Sequence, residues 1–288
     1  MKLYERIIET GSQIFSCKKC LSTGYRVVEK SLREGVISRT LFAEPFLVDD
    51  YQNAYEILKD ADKAKLIVLG TAPNRILSFE RVLYKQLLMH MNVLNGSVKL
   101  SSEKAKKVFE KLHDIWLEAL GGWYFECEDG IKFREEFKMK FRTLRFMKKT
   151  KEFLACLYYY GNPLELKKND IIIWGELIFC ELVKKSRIMQ IADTCVDHLR
   201  KLADYVDIVL ITTVNDLLED IDGSKKLKER LAKKLCNIFK GAPIIVIPHL
   251  SRGRTFPEPD QEEEWRRIAE KMKRALSEGG IHYIETKP

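Results

Sequence analysis

The run LIVLG at residues 66–70 decides how this chain folds, because it is apolar, rich in branched side chains and followed by a tight turn. Three later runs share this character: IIIW at 171–174, IVLIT at 208–212 and IIVIP at 244–248. None alternates polar with apolar residues, which is typical of parallel strands covered on both faces. Helical patterns separate them, at residues 79–91, 188–205, 225–239 and 262–276. We therefore expect an α/β fold, a three-layer α/β/α sandwich with a central four-stranded parallel sheet and with its function at the carboxyl ends of the strands.

The segment between the first two strands is about a hundred residues long, far more than one crossover helix requires. Its patterns predict a helix over residues 101–120, a hairpin with a turn at Asp129-Gly130, and a long helix over residues 133–160. No low-complexity tract or linker marks a second domain. We interpret residues 1–288 as a single domain with a largely helical insertion at about 97–166.

The composition is that of a soluble globular protein, with 45% hydrophobic residues among 288. Fifty Lys and Arg against forty-two Asp and Glu give a net charge of +8, which suits a nucleic-acid-binding protein because neutralised phosphates release counterions. A surface rich in lysine and glutamate is equally typical of heat-adapted proteins. No run approaches the ~20 apolar residues of a membrane span, and the N-terminus lacks a secretory signal. We expect a cytoplasmic monomer with no membrane partner.

Four of the seven cysteines form two pairs: Cys17 with Cys20 in a CxxC turn, and Cys180 with Cys195 after fourteen intervening residues. Thiolates are soft ligands that suit zinc or an iron–sulfur cluster, and two distant pairs can close a tetrahedral site. The spacing alone favours a metal site, with zinc ahead of iron, over four unconnected thiols. The remaining cysteines lie in apolar patterns and are interpreted as buried and structural: Cys127, Cys156 and Cys236.

Several motifs occur along the chain in a fixed order. They are CKKC at 17–20, LIVLGTAPN at 66–74, SFERVLYK at 78–85, IIIWGELIFC at 171–180, Cys195, and IIVIPHLSRGR at 244–254. This order resembles that of the iron–sulfur (family 4) uracil-DNA glycosylases. Those enzymes have a CxxC pair, a GEAPG turn, a stacking phenylalanine, a strand that ends in asparagine before the third cysteine, a fourth cysteine about fifteen residues later, and a closing histidine loop. Each motif is weak alone, and their shared order carries the resemblance.

The resemblance implies a [4Fe-4S] cluster, with zinc as the alternative, held by Cys17, Cys20, Cys180 and Cys195. It also implies a DNA partner. The cluster would have a structural role, holding the N-terminal segment against the sheet.

For the reaction, the resemblance implies that Phe79 stacks on a base flipped out of DNA, since an enzyme that cuts a glycosidic bond must extrude the nucleotide. His249 would donate a hydrogen bond to the departing base, where negative charge develops. Ser251 would help to hold the base, and Arg252 and Arg254 would approach the DNA backbone.

The turn after the first strand would line the same pocket, with Gly70, Ala72, Pro73 and Asn74 presenting backbone N–H groups and short side chains. This chain departs from the family here, because Thr71 stands where the family has a glutamate. Threonine can hold a water but cannot act as a carboxylate base near neutral pH.

A second departure is Glu176, which aligns with the asparagine that reads the base. When ionised, a carboxylate only accepts hydrogen bonds and cannot replace the donor and acceptor pair of an amide. It could accept from an exocyclic amine. The sequence therefore suggests that the preferred base, if there is one, differs from uracil.

The predicted long helix carries basic residues at helical spacing, among them Arg142 and Arg145, which we interpret as a phosphate-contacting face. A solvated surface is the alternative. Three functions stay open at this point: a DNA glycosylase that removes a deaminated or damaged base in repair, a non-catalytic nucleic-acid-binding relative, and another hydrolase or nucleotide activity in which Glu176 and His249 form an acid/base pair.

Overall fold

The structure is a computed structural model of the chain, and it describes part of the 288 residues. The described residues are 1–15, 17, 41–47, 51–70, 124–127, 130–133, 142–179, 188–213, 225–250 and 256–286, with single positions between 103 and 113.

Eight strands are described. They are β1 (Phe42–Pro45), β2 (Ala64–Gly70), β3 (Tyr124–Cys127), β4 (Gly130–Phe133), β5 (Ile171–Glu176), β6 (Val206–Thr213), β7 (Ile244–Pro248) and β8 (Ile281–Tyr283). Six of them form one sheet in the order β1-β5-β2-β6-β7-β8, and β3 pairs with β4. The four predicted strands are the adjacent central strands β5, β2, β6 and β7, all parallel. The α/β class and the four parallel strands are therefore confirmed.

The helices are α1 (Leu3–Phe15), α2 (Tyr51–Asp60), α3 (Arg142–Tyr160), α4 (Ile188–Cys195), α5 (Lys225–Ile238) and α6 (Glu262–Glu278), with a 3-10 helix at Val196–Tyr205 that continues α4. The predicted helical run at 188–205 therefore divides into an α-helical and a 3-10 part.

Both faces of the sheet are covered, because successive strand residues enter two different cores. On β2, Ile67 and Leu69 pack into the core beneath α1, α2, α4, the 3-10 helix and α5. Leu66 and Val68 pack into the core beneath α3 and α6. The central strands thus need apolar residues at every position, which explains their continuous apolar runs.

The sheet has two more strands than the predicted four. β1 adds antiparallel to β5, and β8 adds parallel to β7. Neither has a sequence signal, since β1 reads FAEP and β8 is the three residues IHY. An edge strand has only one strand neighbour, so a short and partly polar sequence is sufficient there.

The predicted insertion contains the expected hairpin, since Tyr124 pairs with Phe133 and Cys127 with Gly130. The prediction of one helix from residue 133 was wrong, because Phe133 lies in β4 and the described helix begins at Arg142. This helix, α3, buries Phe153 and Leu157 in the same core as α6. The end of the insertion is therefore part of the outer layer of the sandwich.

Candidate functional site

The carboxyl ends of β2 and β5 lie side by side. Gly70, the last residue of β2, pairs with Glu176, the last residue of β5. The backbone N–H of Leu177 donates to the carbonyl oxygen of Gly70 at 2.8 Å, which fixes this pair at the sheet edge. In a parallel sheet covered on both faces, this edge is where ligands bind.

Gly70 leaves room for the Glu176 carboxyl group. A Cβ atom at position 70 would lie 2.1 Å from Oε2 of Glu176 and 2.8 Å from its Cδ. The carboxyl group therefore leans over the end of β2, into space that any other residue at position 70 would fill. Gly70, in the predicted turn, therefore leaves the space that the side chain at the predicted base-reading position, Glu176, occupies.

The Glu176 carboxyl group is held in an apolar setting. The residue is half-buried as a whole, but Oε2 is buried and has no hydrogen-bond partner among the described residues. Burial raises the pKa of Glu176 to about 8, from an ordinary value of 4.5. The side chain is then a neutral carboxylic acid at neutral pH, with one donor and one acceptor. The expectation that Glu176 only accepts hydrogen bonds was made for its ionised form, which burial disfavours.

Thr212, in β6, lies beside Gly70 on the side opposite to Glu176. Leu69 pairs with Ile211, so the next residues, Gly70 and Thr212, are neighbours across β2 and β6. Thr212 is fully buried, and its Oγ1 has no hydrogen-bond partner among the described residues. Sequence reasoning missed this residue. The available signal was a threonine in the predicted IVLIT strand, where the neighbouring positions are apolar.

Glu176 and Thr212 point to the same face of the sheet. Side chains alternate along a strand, so Glu176 lies on the side of Trp174 and Thr212 on the side of Leu210. Trp174 and Leu210 both belong to the core beneath α3 and α6. Gly70 therefore has a residue with a buried polar group on each side of it in the sheet, and the Glu176 carboxyl group lies over it.

His249 follows β7, and β2 and β6 separate that strand from β5. Three strand spacings of ~4.8 Å place the backbones of Glu176 and His249 roughly 14 Å apart. The structure thus brings Glu176 and Gly70 into contact and places His249 farther along the same edge, half-buried. A spacing of this size leaves no direct acid/base pair between Glu176 and His249.

Two of the four predicted metal ligands are described. Cys17 follows α1, and its Sγ lies 3.1 Å from Nε2 of His198 in the 3-10 helix. Cys195 is buried at the end of α4, three residues before His198. No group of three or more candidate metal ligands occurs in the described part of the chain. His198 was not predicted from the sequence, because it has no motif spacing to the cysteines.

The other cysteines differ from one another in exposure. Cys156 is buried in α3, and burial raises the pKa of its thiol to about 12, as expected of a structural cysteine. Cys236 is exposed on α5, so its interpretation as buried was wrong. Cys236 lies on the exposed face of this lysine-rich helix. Cys127 lies in β3.

The remaining predicted site residues are not positioned by the structure. Outside the described residues lie Thr71, Ala72, Pro73, Asn74, Phe79, Ser251, Arg252, Arg254, Cys20 and Cys180. Arg142 and Arg145 belong to α3 by backbone, and their side chains are not described.

Several of the described basic residues are engaged in ion pairs within the chain. Arg230 pairs with Asp193 at 2.6 Å, and Lys234 pairs with Asp197 at 2.7 Å. Asp193, Arg230 and Lys234 line an open hollow of about 500 Å³ between α4, the 3-10 helix and α5. These contacts are typical of a solvated, salt-bridged surface.

No protein-family model, no curated protein and no solved structure matches this chain. Across the described helices, none combines the length and apolar character needed to cross a membrane.

Proposed function

We propose that this protein is a DNA glycosylase of the uracil-DNA glycosylase superfamily, which hydrolyses the N-glycosidic bond of a deaminated or damaged base during repair. The observation that supports it best is the close approach of the Glu176 carboxyl group to Gly70 at the sheet edge, with buried polar atoms of Glu176 and Thr212 that have no hydrogen-bond partner among the described residues. Its place at the carboxyl edge of the sheet matches the place where the motif order predicts the base. The central strands would then form a sandwich of the uracil-DNA glycosylase type.

In this proposal the extruded base lies at the carboxyl edge of the sheet, beside Glu176, and stacks on Phe79. The Glu176 carboxyl group holds its polar edge. The roughly 14 Å between the backbones of Glu176 and His249 is spanned partly by the two side chains and partly by the base. His249 is then on the far side of the base, where it can donate to an atom that gains charge.

The chemical step breaks the bond between the sugar carbon and the base nitrogen, and the bonding electrons leave with the base. The hydrogen bond from His249 stabilises that charge, which develops only in the transition state. Water adds to the sugar carbon and gives its proton to the medium. Thr71 and the backbone of the turn at residues 70–74 would position this water, without a carboxylate base.

The cluster proposal is supported by Cys17 and Cys195, the two of its four ligands that the structure describes. Cys17 reaches the 3-10 helix that follows Cys195, so the first cysteine of the CxxC pair lies beside the segment that follows the fourth cysteine. These soft donors fit a [4Fe-4S] cluster or zinc, held by Cys17, Cys20, Cys180 and Cys195. The group would supply no chemistry to the reaction and would fasten α1 to the sandwich. His198 would lie beside the Cys17 ligand.

DNA contacts are proposed for the loop after β7, through Arg252 and Arg254, and for the start of α3, through Arg142 and Arg145. The net charge of +8 supports a polyanionic partner.

A non-catalytic nucleic-acid-binding relative is the second candidate. It is favoured by Thr71, because this residue removes the carboxylate that the resembling enzymes carry in the turn. The third possibility, a Glu176 and His249 acid/base pair, is disfavoured by the two strands that separate their elements.

The test is a cleavage assay on oligonucleotides that carry uracil, hypoxanthine, xanthine or alkylated bases. The protein is purified without oxygen and its iron and zinc are measured, and alkali then reveals abasic sites. Cleavage that His249→Ala abolishes would support the glycosylase. Binding to the oligonucleotides without cleavage would favour the non-catalytic candidate, and neither binding nor cleavage would overturn both.

A further inference from the structure

The 3-10 helix at Val196–Tyr205 carries a histidine that contacts one of the proposed metal ligands. Nε2 of His198 lies 3.1 Å from Sγ of Cys17, and both residues are half-buried. Cys195 immediately precedes this helix, and side chains three residues apart in a 3-10 helix lie above one another. His198 therefore lies one turn from the second described cysteine, while its ring reaches the first.

The docking of α1 against the 3-10 helix brings Cys17 to this position. Lys201 of the 3-10 helix pairs with Glu9 of α1 at 2.5 Å. The guanidinium group of Arg6 lies 5.4 Å from the ring centre of Tyr205. These two contacts join the same two elements, so the approach of Cys17 is part of a helix interface and does not depend on one side chain.

Metal binding would decide which atom donates in the contact between His198 and Cys17. A cysteine ligates iron or zinc as the thiolate, which has no hydrogen to donate. The hydrogen between the two atoms is then on Nε2 of His198, and the ring donates to the sulfur. Hydrogen bonds to ligand sulfurs help to set both the affinity and the reduction potential of metal centres.

The distance favours a hydrogen bond over direct coordination of a metal by His198. A sulfur at ~2.3 Å and a nitrogen at ~2.0 Å from one tetrahedral zinc ion would be about 3.5 Å apart. The observed 3.1 Å is shorter than this separation. In the part of the chain that the structure describes, His198 also belongs to no group of three or more candidate metal ligands.

We propose that His198 is a positioning residue of the metal centre, whose Nε2–H donates a hydrogen bond to the Cys17 thiolate. The bond holds the sulfur beside the 3-10 helix and stabilises its negative charge. This inference rests on the metal centre of the proposed function, formed by Cys17, Cys20, Cys180 and Cys195. It does not depend on whether the protein cleaves DNA.

The experiment uses the full chain, purified without oxygen and analysed for iron and zinc. His198→Gln keeps an N–H donor, whereas His198→Leu and His198→Ala remove it. Lys201→Met is the matched control, because it breaks the ion pair between the same helix and α1 without touching Cys17. A histidine that only docks α1 would behave as this lysine does.

The rate at which a chelator removes the metal is the first measurement. His198→Leu and His198→Ala are expected to lose metal about ten- to a hundredfold faster than wild type, since residues that support a ligand change metal affinity by that factor. His198→Gln and Lys201→Met are expected to stay close to wild type.

The second measurement reports on the sulfur itself. For an iron–sulfur cluster it is the reduction potential, which is expected to fall without the donor because the reduced state carries more negative charge. For zinc, cobalt(II) is substituted, and the thiolate charge-transfer band is expected to move to lower energy. Lys201→Met should change neither signal.

Four results would overturn the inference. Wild-type release and wild-type signals without the His198 donor would show that no bond to the sulfur matters, and an equal loss in Lys201→Met would show that His198 only docks α1. A loss in His198→Gln as large as in His198→Leu would make the histidine a direct ligand. A wild-type chain without iron or zinc would remove the centre itself.

Circular dichroism shows which variants are folded, and the two variants without a donor serve as replacements for each other. If the metal measurements turn out as expected and DNA is never cleaved, this inference stands and the glycosylase proposal fails. If DNA is cleaved and the His198 variants keep wild-type metal properties, the reverse holds.

Discussion

The indole N–H of Trp174 donates a hydrogen bond to Oε1 of Glu44 at 2.8 Å, and this links the central strand β5 to the edge strand β1 inside the core. The same carboxylate oxygen lies 2.5 Å from Nζ of Lys151 on α3. Burial lowers the pKa of Lys151 to about 8, while Glu44 opposes this shift. Two strands of the sheet and helix α3 thus meet at one buried ion pair, and Trp174, which contacts it, lies two residues before Glu176.

Lys151→Met is expected to destabilise the protein by about 3–5 kcal/mol, because it leaves the buried Glu44 carboxylate without its counter-charge. The double variant Lys151→Met with Glu44→Gln should recover most of this loss, since an amide oxygen still accepts from Trp174. Urea denaturation measures both effects. Lys149→Met is the matched control, because this half-buried lysine pairs with Glu152 at the surface and should change stability by less than about 1 kcal/mol.

Gly70→Ala is expected to destabilise the protein by roughly 1–3 kcal/mol, because the new methyl group collides with the Glu176 carboxyl group. The clash involves that side chain, so Glu176→Ala in the same chain should remove most of the penalty. A double-mutant cycle from thermal denaturation measures the coupling. Simple additivity of the two effects would contradict the contact.

Gly175→Ala is the control for that cycle, at the adjacent position and on the opposite face. A Cβ there would meet Leu41 Cδ1 at 3.1 Å and Leu69 Cδ2 at 3.3 Å, which are side-chain ends that can shift. We expect little coupling between Gly175→Ala and Glu176→Ala.

Glu176→Gln is expected to change how stability depends on pH. The folded state keeps the Glu176 proton up to about pH 8, while the unfolded chain loses it above about 4.5. The unfolded state therefore binds fewer protons between these values, and the stability contributed by this group falls as pH rises through that window. Glutamine has no such loss, so the variant should gain roughly 2 kcal/mol or more over wild type between pH 4.5 and 9, at about 1.4 kcal/mol per pKa unit.

The comparison uses denaturation midpoints of the wild type and the variant at a series of pH values. Other titrating groups affect both proteins equally and cancel in the difference. A constant difference across the series would show that Glu176 has an ordinary pKa.

Cys17→Ser and Cys195→Ser are each expected to lower the iron or zinc content of anaerobically purified protein to a small fraction of that of wild type. Cys236→Ser is the matched control, because this thiol is exposed on α5 and stands apart from the proposed ligands. Metal analysis and the visible absorption of an iron–sulfur cluster provide the measurement. Equal metal in all three variants would refute the ligand assignment.

The four central strands could be predicted from the sequence because burial on both faces imposes apolar residues at every position. β1 and β8 could not, since an edge strand has one strand neighbour and needs no long apolar run. The start of α3 was placed too early because the aromatic spacing from Phe133 fits a helix, while the hairpin pairing of Phe133 with Tyr124 outweighs that local pattern.

The candidate site was predicted in part. Gly70 and Glu176 follow from the strand-end motifs, and the structure brings them together. The protonation of Glu176 could not be predicted, because it depends on which charges surround the carboxyl group after folding. Thr212 and His198 were missed for a related reason: each gains its role from the strand or helix that packs beside it.

The edges of the large sheet bear on self-association. Long apolar strands such as β2 and β6 would pair readily with a second chain if they were exposed at an edge. Here the described outer strands are short. β1 ends at Pro45, which has no amide hydrogen to offer, and β8 has three residues, among them the exposed Tyr283. An aggregating strand from another molecule therefore finds few free backbone groups on these outer strands, and the sequences most prone to amyloid pairing stay in the middle of the sheet.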